Sequence, residues 1–478
     1  GSVYHTNYWG VFPTALLMKF QASIEWYTTL LANPLEPLSG NNTEGELLKI
    51  LILGSGGREH ALARGMLQSS KLERLWVAEG NAGTSEIATN LQLNIEDNSA
   101  VVQAARDLGV DLVVVGPEVP LANGVVDSLT GAGISAFGPT KSAARIESSK
   151  SFARRVMQEA DVPSPTFEVF TDLGMALTYL ETSRYPIVIK ADGLAAGKGV
   201  IICQTQEEAT AAILTCMEEK IFGESGNTIV VEEFLEGREV SVFGFTDGTT
   251  ISPLIAACDY KKVGDGDVGL NTGGMGCFAP PDFWSNELHH IVSDTIFKPV
   301  IKQLKKEGSP YQGILYAGLM LTNTGIKTLE FNCRFGDPEA QVIVSLVKSD
   351  LLDVMKACTD GTLDQIDLRF DTTPHVAVVL ASGGYPANYR TGYLISGLSD
   401  ETPNSFVFHA GTKLLEGSDG DSVVTNGGRV LTVLGWGLDW SEARENAYNR
   451  LTRISFENSY YRSDIGSQQQ DVEGRAWF

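Results

Sequence analysis

The stretch from Tyr185 to Ile202 constrains the fold of this chain most strongly, because it reads as a strand, a glycine-rich turn and a second strand. Its two β-branched runs, Ile187–Ile189 and Val200–Ile202, have the length and composition of strands. The glycines and lysines in or beside the turn are Gly193, Gly197, Gly199, Lys190 and Lys198. Glycines let backbone N–H groups converge on an anion, and the lysines add positive charge. The pattern favours a flap over phosphate groups, although an ordinary glycine-rich hairpin fits these residues equally well.

This turn differs from the Walker phosphate-binding loop. That loop has four residues between its glycines, continues with Lys and Ser or Thr, and leads into a helix. Here three residues separate Gly193 from Gly197, and a strand follows Gly199. The sequence therefore predicts a hairpin that closes over its ligand, not a strand-to-helix cradle.

Composition narrows the possible functions. The 478 residues are enough for roughly two to four packed units. A net charge of −23 argues against nucleic acid or a membrane surface as the main partner. The six cysteines contain no CxxC pair, so we expect reduced thiols in an intracellular, cytoplasmic enzyme and no zinc site.

Residues 1–47 are predicted to be an N-terminal extension without chemistry of its own. Its apolar run Val11–Leu31 contains Lys19, Gln21 and Glu25, and is therefore too polar for a membrane span. Lys19 is its only basic residue, which disfavours a transit peptide, and the initial Gly-Ser suggests a partly artificial extension.

Residues 48–149 are predicted to form a parallel, doubly wound α/β sheet. Four apolar runs alternate with helical patterns, and each run ends in a loop rich in Gly, Pro or Asn. The predicted strands are Leu48–Leu53, Leu75–Ala78, Asp111–Val115 and Ile134–Phe137. Loops after parallel strands meet at one sheet edge, so we expect a small phosphorylated ligand there. The dinucleotide-binding fingerprint is incomplete, because Glu59 replaces its third glycine.

Two later stretches suggest parts of a nucleotide site. Acidic residues of Val231–Val240 flank a turn between strands, where they could bind a base and a ribose, although a solvated acidic hairpin is the commoner meaning of such a pattern. Asp259–Cys277 has six glycines among nineteen residues, which is typical of a mobile active-site lid or of disorder. Its Asp, Lys and Asn residues favour the lid.

A metal site is predicted on the second of two paired strands, Gly313–Thr322 and Lys327–Phe331. Side chains alternate along a strand, so Glu330, Asn332 and Arg334 share one face. A carboxylate beside an amide oxygen suits Mg²⁺, which completes its shell with phosphates and water. Arg334 can clamp a transferring phosphoryl group or a substrate carboxylate. On these residues alone, a polar strand face in solvent is the alternative.

The remaining chain predicts the domain organisation. A central domain covers residues 150–370, with a flap subdomain at about 168–236. Residues 371–466 are predicted to form a small α+β lobe that closes one wall of the site, and residues 467–478 a tail. The predicted elements of this lobe are strands His375–Ala381, Gly411–Leu415 and Arg429–Gly435 and a helix at Trp440–Arg453.

In combination, seven stretches resemble the phosphoribosylamine–glycine ligases, a family of the ATP-grasp superfamily. They are GSGGREHALA (54–63), GNAGT (80–84), GPEVPLANG (116–124), IKADGLAAGKGV (189–200), VEEFLEGREVS (231–241), NTGGMG (271–276) and LEFNCRFGDPEAQ (329–341). They run in family order over about residues 48–466. The resemblance implies a Rossmann-like substrate-binding domain before a central ATP-grasp fold. Lys262 and Leu270 depart from the family pattern, and Leu315–Met320 offers no further acidic metal ligand.

The resemblance implies that ATP, glycine and 5-phosphoribosylamine give glycinamide ribonucleotide, ADP and phosphate in the second step of purine biosynthesis. The expected course is phosphorylation of the glycine carboxylate and attack by the ribosylamine nitrogen. Such a course needs positioning and charge neutralisation, not a protein nucleophile. Mg²⁺ or Mn²⁺ is the implied cofactor, and a monomer or weak homodimer the implied assembly. The alternatives are another ATP-grasp ligase of the purine pathway and an NAD-dependent dehydrogenase.

Residue roles follow from the motif positions. The implied ATP contacts are the flap glycines Gly193, Gly197 and Gly199, lysines Lys150, Lys190 and Lys198 for the phosphates, Glu232 and the Leu235 backbone for adenine, and Glu239 for the ribose. The implied phosphoribosylamine contacts are Gly56, Gly57, Asn81, Pro117, Glu118 and Leu121. Asp267 or Asp259 should receive the glycine ammonium, beside Asn271 of the lid. Glu330 and Asn332 should bind the metal, and Arg334 should neutralise the developing charge.

Overall fold

The structure of the protein is a computed structural model that describes residues 47–194, 199–415, 417 and 421–467. The expectations for residues 1–46, for Gly197 and Lys198, and for the tail beyond residue 467 therefore lie outside the described residues. No helix in the described ranges is long and apolar enough to cross a membrane.

The N-terminal segment forms the predicted parallel sheet, with strand order β3-β2-β1-β4-β5. Its strands are β1 (Leu48–Gly54), β2 (Leu72–Glu79), β3 (Thr89–Leu91), β4 (Leu112–Val115) and β5 (Ser135–Phe137). Strand β3 was not predicted, because Thr-Asn-Leu carries no apolar run. The helices are α1 (Gly57–Met66), α2 (Thr84–Ile87), α3 (Asn98–Leu108), α4 (Glu118–Asn123), α5 (Val125–Gly131) and α6 (Lys141–Ser148). Helix α3 begins after Asp97, whose side chain accepts hydrogen bonds from two backbone N–H groups, and it ends at Gly109, which is left-handed. Both residue types are common at these helix ends, so the sequence itself determines where the helix begins and ends.

A second, antiparallel sheet with order β6-β9-β7-β8 carries the predicted flap. It comprises β6 (Phe167–Phe170), β7 (Ile187–Ala191), β8 (Val200–Cys203) and β9 (Ile229–Glu233), preceded by α7 (Lys150–Glu159) and joined by α8 (Leu173–Leu180) and α9 (Gln206–Met217). Strands β7 and β8 pair from Ile187 opposite Cys203 to Lys190 opposite Val200. The strand–turn–strand prediction is confirmed for the two strands, whose buried face packs on α8 and α9.

The largest sheet joins the central and C-terminal segments in the order β16-β15-β10-β11-β14-β17-β21-β18, with β22 beside β17. Its central strands are β10 (Arg238–Thr246), β11 (Ile255–Asp259), β14 (Gly276–Ala279), β15 (Gly313–Thr322) and β16 (Gly325–Asn332). Its C-terminal strands are β17 (His375–Ser382), β18 (Ser405–His409), β21 (Arg429–Trp436) and β22 (Ser459–Tyr460). The predicted C-terminal lobe is thus an extension of the central sheet through the β14–β17 pair. A two-residue period of apolar side chains identifies a strand, but it does not show which strand pairs with it, so the pairing of β14 with β17 could not be predicted.

Helices cover this sheet on both faces. They are α10 (Asn286–Val292), a π-helical turn (Ser293–Phe297), α11 (Lys298–Lys306), α12 (Glu339–Leu346), α13 (Leu351–Asp360) and α14 (Trp440–Leu451). Helix α12 is the one that matters for the site, because it follows directly on the turn after β16 and packs its buried residues on the sheet.

The predicted lid, Asp259–Cys277, contains regular structure. A hairpin of β12 (Lys262–Gly264) and β13 (Val268–Asn271) fills its centre. Left-handed Gly266 and Asp267 make its turn. A second hairpin, β19 (Thr412–Leu415) with β20 (Ser422–Thr425), belongs to the C-terminal segment.

Candidate functional site

One face of the large sheet carries both predicted metal ligands, the predicted ribose ligand and one of the two aspartates predicted for the glycine ammonium. Directly opposed residues of neighbouring strands point to the same face. Gly318 opposes both Ser241 and Glu330, and Tyr316 opposes Asn332. Ala257 opposes Ser241, so Asp259, two residues further along β11, joins the same face. The polar side chains on this face are therefore Glu239, Ser241, Asp259, Tyr316, Glu330 and Asn332.

Glu330 and Asn332 lie side by side as predicted, in a strongly positive environment. Burial acts to raise the pKa of Glu330, but nearby cations outweigh it and lower that pKa; these are Lys190, Lys261, Lys150 and Arg334. The carboxylate is consequently held ionised, as a metal ligand must be. Opposite it lies Gly318, where an added Cβ would come within 3.4 Å of the Glu330 side chain.

Glu330 and Asn332 supply two oxygen donors, which are enough for Mg²⁺ only if other ligands complete its shell. Among the described residues, no group of three His, Cys, Asp or Glu side chains could hold a metal. Mg²⁺ commonly takes one or two protein carboxylates and completes its shell with substrate phosphates and water. The pair Glu330 and Asn332 therefore fits a metal that is shared with a triphosphate, and does not fit a closed structural site.

Two of the lysines predicted to hold phosphates, Lys150 and Lys190, lie near this face, because both lower the pKa of Glu330. Lys150 begins α7, and its Nζ donates to the Gly193 carbonyl at 2.9 Å. Asp192 fixes this contact, because its carboxylate accepts from the Ser151 backbone N–H and hydroxyl at the start of α7. Gly193 has no room for a side chain, since an added Cβ would lie 2.0 Å from the Ser225 hydroxyl. The start of α7 and the first turn of the flap are therefore held together.

Glu232 is bound by two cations in the protein interior. Arg154 contacts both of its carboxylate oxygens, at 2.6 and 2.7 Å, and Lys190 contacts one at 2.9 Å. Burial tends to raise the pKa of Glu232, but the two cations lower it. Burial also lowers the pKa of Lys190, and Glu232 offsets only part of that effect because Arg154 repels the lysine. The Glu232 side chain thus holds the strand ends together, and its backbone lies in a central strand that pairs with both β6 and β7.

Lys261 links the predicted ribose ligand to the predicted glycine ligand. Its Nζ lies 2.8 Å from Glu239 Oε2 and 3.2 Å from Asp259 Oδ2. Despite burial, these two carboxylates raise the pKa of Lys261 well above its ordinary value. Its charge also lowers the pKa of Glu330, which places a third lysine near the metal pair.

Arg334 joins the predicted metal strand to the N-terminal sheet. Its guanidinium lies 2.9 Å from Glu147 Oε1 and 3.3 Å from Glu118 Oε2, and it also donates to the Asn332 amide oxygen at 3.4 Å. Burial tends to lower the pKa of Arg334, but Glu147 and Glu118 raise it. In turn Arg334 and Arg58 overcome the effect of burial and lower the pKa of Glu118. Glu118, predicted to bind phosphoribosylamine, is thus placed next to the arginine that was predicted to neutralise the developing charge.

The turn Gly54–Gly57 packs against the motif after β16. Glu59, which replaces the third fingerprint glycine, accepts the Gly56 backbone N–H at 2.6 Å and occupies the space beside Gly54 and Gly116. A carboxylate at this helix N-terminus takes the place of a ligand phosphate, which explains the incomplete dinucleotide fingerprint. It also means that the N–H of Gly56 is already used. An added Cβ on Gly57 would lie 2.4 Å from Gln341, so this glycine permits close packing.

Two other predicted contacts of phosphoribosylamine are committed to the fold. The Asn81 amide donates to the carbonyls of Ser55 and His409, and its oxygen accepts the N–H groups of Gly83 and Thr84. Leu121 is completely buried in the core, one turn into α4. Pro117 caps that helix and precedes Glu118. Of the loop after β4, Glu118 is the side chain that reaches the site.

The lid hairpin holds Asp267 against the C-terminal segment. Asp267 Oδ1 lies 2.8 Å from the guanidinium of Arg462, which is fully buried in the C-terminal segment. Gly266 and Val263 of the hairpin bind the same segment through Asp464 and Tyr460. Asn271 pairs with Lys262 at the end of the hairpin. The structure therefore joins Asp259, and not Asp267, to the Glu330 side of the site.

Several site residues were not predicted from the sequence: Arg58, Glu147, Arg154, Lys261, Asp337, Glu339 and Arg429. Arg58, Asp337 and Glu339 lie inside the recognised motifs, and motif membership was the one available signal for them. Glu147, Arg154, Lys261 and Arg429 lie outside those motifs. Arg429, for example, reaches from β21 to the Gly273 carbonyl at 2.7 Å and to Asp337 at 3.5 Å. A single arginine at a strand start carries no signal of such a contact.

Three sequence families match the chain in succession. They are the N domain (residues 48–147), the ATP-grasp (A) domain (residues 148–340) and the C domain (residues 375–468) of phosphoribosylglycinamide synthetase. Together they span most of the chain.

Similar proteins agree with these matches. A phosphoribosylamine–glycine ligase of Caldanaerobacter subterraneus is 43% identical over 88% of this chain and 100% of its own length. The trifunctional purine biosynthetic protein adenosine-3 of Gallus gallus is 47% identical, and the match covers 87% of this chain and 42% of that protein. The crystal structure of phosphoribosylamine–glycine ligase from Thermotoga maritima has a TM-score of 0.75 at 32% identity, covering 87% of this chain and 100% of the other. A biotin carboxylase domain from Hydrogenobacter thermophilus, at 15% identity and a TM-score of 0.68, covers 87% of this chain and 92% of its own and shares the fold.

Proposed function

The chain belongs to the phosphoribosylglycinamide synthetase family of ATP-grasp ligases, and from this premise we propose how its described residues carry out the reaction. The reaction joins glycine to 5-phosphoribosylamine with cleavage of ATP to ADP and phosphate, as the second step of purine biosynthesis. The observation that supports the proposal best is the shared sheet face of Glu239, Asp259, Glu330 and Asn332, with lysines and Arg334 around it.

ATP lies between the flap sheet and the large sheet in this proposal. Lys150 and Lys190 neutralise the phosphates below the flap that β7 and β8 carry, of which Gly193 and Gly199 are the described glycines. Glu232 and the backbone of Leu235 contact adenine, and Glu239 accepts hydrogen bonds from the ribose hydroxyl groups. Because Glu239 is ion-paired with Lys261 in the structure, a ribose at this carboxylate would release Lys261 toward the phosphates.

A divalent cation such as Mg²⁺ fits Glu330 and Asn332, and we extend this to Mn²⁺, which accepts the same hard oxygen ligands. Such a cation neutralises charge on the β- and γ-phosphates when bound. The chain itself keeps Glu330 ionised through the surrounding lysines. Arg334 faces the same place and stabilises the phosphoryl group during transfer to the glycine carboxylate.

Phosphoribosylamine is proposed to approach from the N-terminal sheet. Of its predicted contacts, Glu118 is near enough to Arg334 to bring the amine to the acyl phosphate. The carboxylate of Glu118 is held ionised by Arg334 and Arg58, so it can accept a hydrogen bond from the attacking amine. Gly57, Pro117 and the backbone of the loop after β4 would contact the rest of this substrate.

Three further points belong to the proposal. The domains are residues 48–149, 150–370 and 371–466, with the flap subdomain at about 168–236. The enzyme works in the cytoplasm as a monomer or weak homodimer. Its partners are small molecules, in keeping with the net charge of −23, which disfavours nucleic acid and anionic membranes.

An oxygen-isotope experiment tests the proposed acyl phosphate. Glycine labelled with ¹⁸O in its carboxylate is turned over with ATP and with phosphoribosylamine generated in situ. The carboxylate oxygen that attacks the γ-phosphorus leaves with the phosphate when the amine displaces it. We expect one labelled oxygen in each inorganic phosphate and none in ADP. Turnover without label in the phosphate would contradict the glycyl phosphate course.

A further inference from the structure

Arg462 is a completely buried charged residue in the segment that follows β22. Its guanidinium forms a bidentate pair with Asp464, with donor–acceptor distances of 2.7 and 2.6 Å. Its Nη1 donates to Asp267 Oδ1 at 2.8 Å and to the Lys262 carbonyl at 2.9 Å. Four of the five N–H groups of this side chain are therefore used, and two of them bind the lid hairpin.

The neighbours of this arginine in the chain hold the same hairpin. Asp464 Oδ2 accepts the Gly266 backbone N–H at 2.9 Å. The Tyr460 hydroxyl donates to the Val263 carbonyl at 2.5 Å. Residues 460–466, here called the C-terminal strap, thus bind both β12 and the turn that follows it.

Lys261 lies between the end of β11 and the start of β12, and the strap fixes the residue on either side of it. The Arg462 guanidinium carbon is 4.8 Å from the centre of the Tyr260 ring, and the Tyr260 hydroxyl accepts the Gly466 backbone N–H at 3.0 Å. On the other side, the Lys262 carbonyl accepts from Arg462. One guanidinium therefore contacts both neighbours of Lys261.

The ammonium group of Lys261 carries this connection to the large sheet. Its Nζ lies 2.8 Å from Glu239 Oε2 and 3.2 Å from Asp259 Oδ2, and its charge helps to keep Glu330 ionised. The Lys261 side chain is 41% exposed, so packing around its long stem does not fix the ammonium. Its direction therefore depends on the backbone on each side, which the strap holds.

Stability alone does not account for a buried arginine at this position. Burying an ion pair removes both charges from water, so its net contribution is often no greater than that of apolar packing. The hairpin turn is also held through Asp464 and through Asp265, whose carboxylate accepts the Ser463 backbone N–H at 2.9 Å. What Arg462 adds is the link to the residues on both sides of Lys261.

We propose that Arg462 is a positioning residue that directs the Lys261 ammonium to the face of the large sheet that carries the metal pair, through the Lys262 carbonyl and the Tyr260 ring. The inference rests on the proposed function, in which Lys261 moves from Glu239 toward the ATP phosphates. It gives the C-terminal segment a part in the use of ATP, through the residue that joins the sheet to the lid hairpin.

A double-mutant cycle between Arg462 and Lys261 tests the proposal, with kcat/KM for ATP as the readout and phosphoribosylamine generated in situ. We expect Arg462→Met to lower kcat/KM about tenfold in the wild-type background, because the ammonium is no longer directed to the face. In a Lys261→Met background the same substitution should lower it less than about twofold, because the group on which Arg462 acts is gone. A purely structural role predicts equal losses in both backgrounds, and that result would overturn the inference.

Arg453→Met is the matched control, since Arg453 is an exposed arginine of the C-terminal segment, and it should retain the wild-type kcat/KM. Arg462→Lys covers the case in which Arg462→Met fails to fold. Lysine keeps the buried charge beside Asp464 but cannot also donate to the Lys262 carbonyl, so the same dependence on Lys261 is expected. Wild-type kcat/KM in a folded Arg462→Met protein would also overturn the inference, while leaving the ligase function intact. Absence of glycine-dependent ADP release in wild type would instead overturn the proposed function itself.

Discussion

Nε of Arg334 lies 3.3 Å from Oε2 of Glu118, and this contact joins the two halves of the proposed reaction. Arg334 follows the metal strand, whereas Glu118 begins a helix of the N-terminal sheet. The group expected to stabilise the acyl phosphate thus touches the group expected to receive the amine. Glu147 holds the other side of the guanidinium, so its position is fixed before any substrate binds.

Arg334→Lys should abolish most turnover without unfolding the protein. Lysine keeps the charge but cannot contact Glu118, Glu147 and the transferring group at once. We expect kcat to fall by about 10²- to 10³-fold, the usual loss for one donor at a developing negative charge. Arg369→Lys, at an exposed arginine, is the control and should retain wild-type kcat. A folded Arg334→Lys protein with wild-type kcat would show that this residue has no part in the chemistry.

Glu330→Gln should weaken the use of divalent metal. The amide keeps the shape of the carboxylate but lacks its charge, so the Mg²⁺ concentration for half-maximal activity should rise about tenfold or more. Titration of activity with Mg²⁺ at fixed ATP measures this. Glu96→Gln, at an exposed site, should titrate like wild type. Identical Mg²⁺ titrations for Glu330→Gln and wild type would contradict the metal assignment.

Glu232→Gln should destabilise the protein. It leaves Arg154 and Lys190 buried without their counter-charge, which costs about 3–5 kcal/mol of unfolding free energy. Because the cations lower the pKa of Glu232 in the folded state, its stabilising contribution is present above the ordinary carboxyl pKa and is lost as the pH falls through the lowered value. Urea unfolding at neutral pH measures the difference.

The neighbouring Glu233→Gln provides the control for that measurement. Glu233 is exposed and accepts the Thr166 N–H, which an amide oxygen can also accept. Its substitution should change the unfolding free energy by less than about 0.5 kcal/mol. Equal stabilities of the two variants would show that the buried ion pairs contribute little.

Asp267→Asn should leave turnover nearly unchanged. About half of the Asp267 side chain is exposed, and its ionic partner is Arg462 of the C-terminal segment. The buried Arg462 keeps its ion pair with Asp464 at 2.6 Å when Asp267 is neutralised, so stability should fall by no more than about 1 kcal/mol and the KM for glycine should change little. Steady-state kinetics decide between the two aspartates predicted for the glycine ammonium. A large rise in the KM for glycine with Asp267→Asn, and none with Asp259→Asn, would favour the opposite assignment.

Glu339→Gln should stabilise the ligand-free protein at high pH. Burial raises the pKa of Glu339, in the first turn of α12, to about 7. A carboxyl whose folded pKa is raised makes the native state less stable as the pH rises from its ordinary value to about 7. The amide has no such charge, so the variant should be more stable than wild type at pH 8 and similar to it at pH 5. Urea unfolding at both pH values measures this, with Glu287→Gln, at an exposed site, as control. A variant less stable than wild type at pH 8 would show that Glu339 has a partner in the fold.

The sequence allowed the fold to be predicted largely because its patterns are local. Hydrophobicity alone predicts that runs such as Leu48–Leu53 and Gly313–Thr322 are strands. The two-residue period of side chains along a strand alone predicts that Glu330 and Asn332 share a face. The motifs then identified the family. Register and partner choice are not local, and therefore the pairing of β14 with β17 and the hairpin at Lys262–Asn271 were not foreseen.

Site residues divide in the same way. Lys190 and Glu330 could be proposed from the sequence because each occurs in a motif with a clear chemical reason. Arg154, Glu147 and Arg429 act through partners more than 70 residues away in the chain, and no spacing rule predicts such contacts. Asn81 and Leu121 show the converse, because both occur in motifs and yet hold the fold of those motifs together.

The most direct measurement of the central claim is product formation with each substrate omitted in turn. Purified protein is incubated with ATP, Mg²⁺, glycine and phosphoribosylamine generated in situ, and ADP and glycinamide ribonucleotide are quantified. We predict equal amounts of both products and neither product in the absence of glycine or of the amine. ADP release that is independent of the amine, or without glycinamide ribonucleotide, would contradict the assignment.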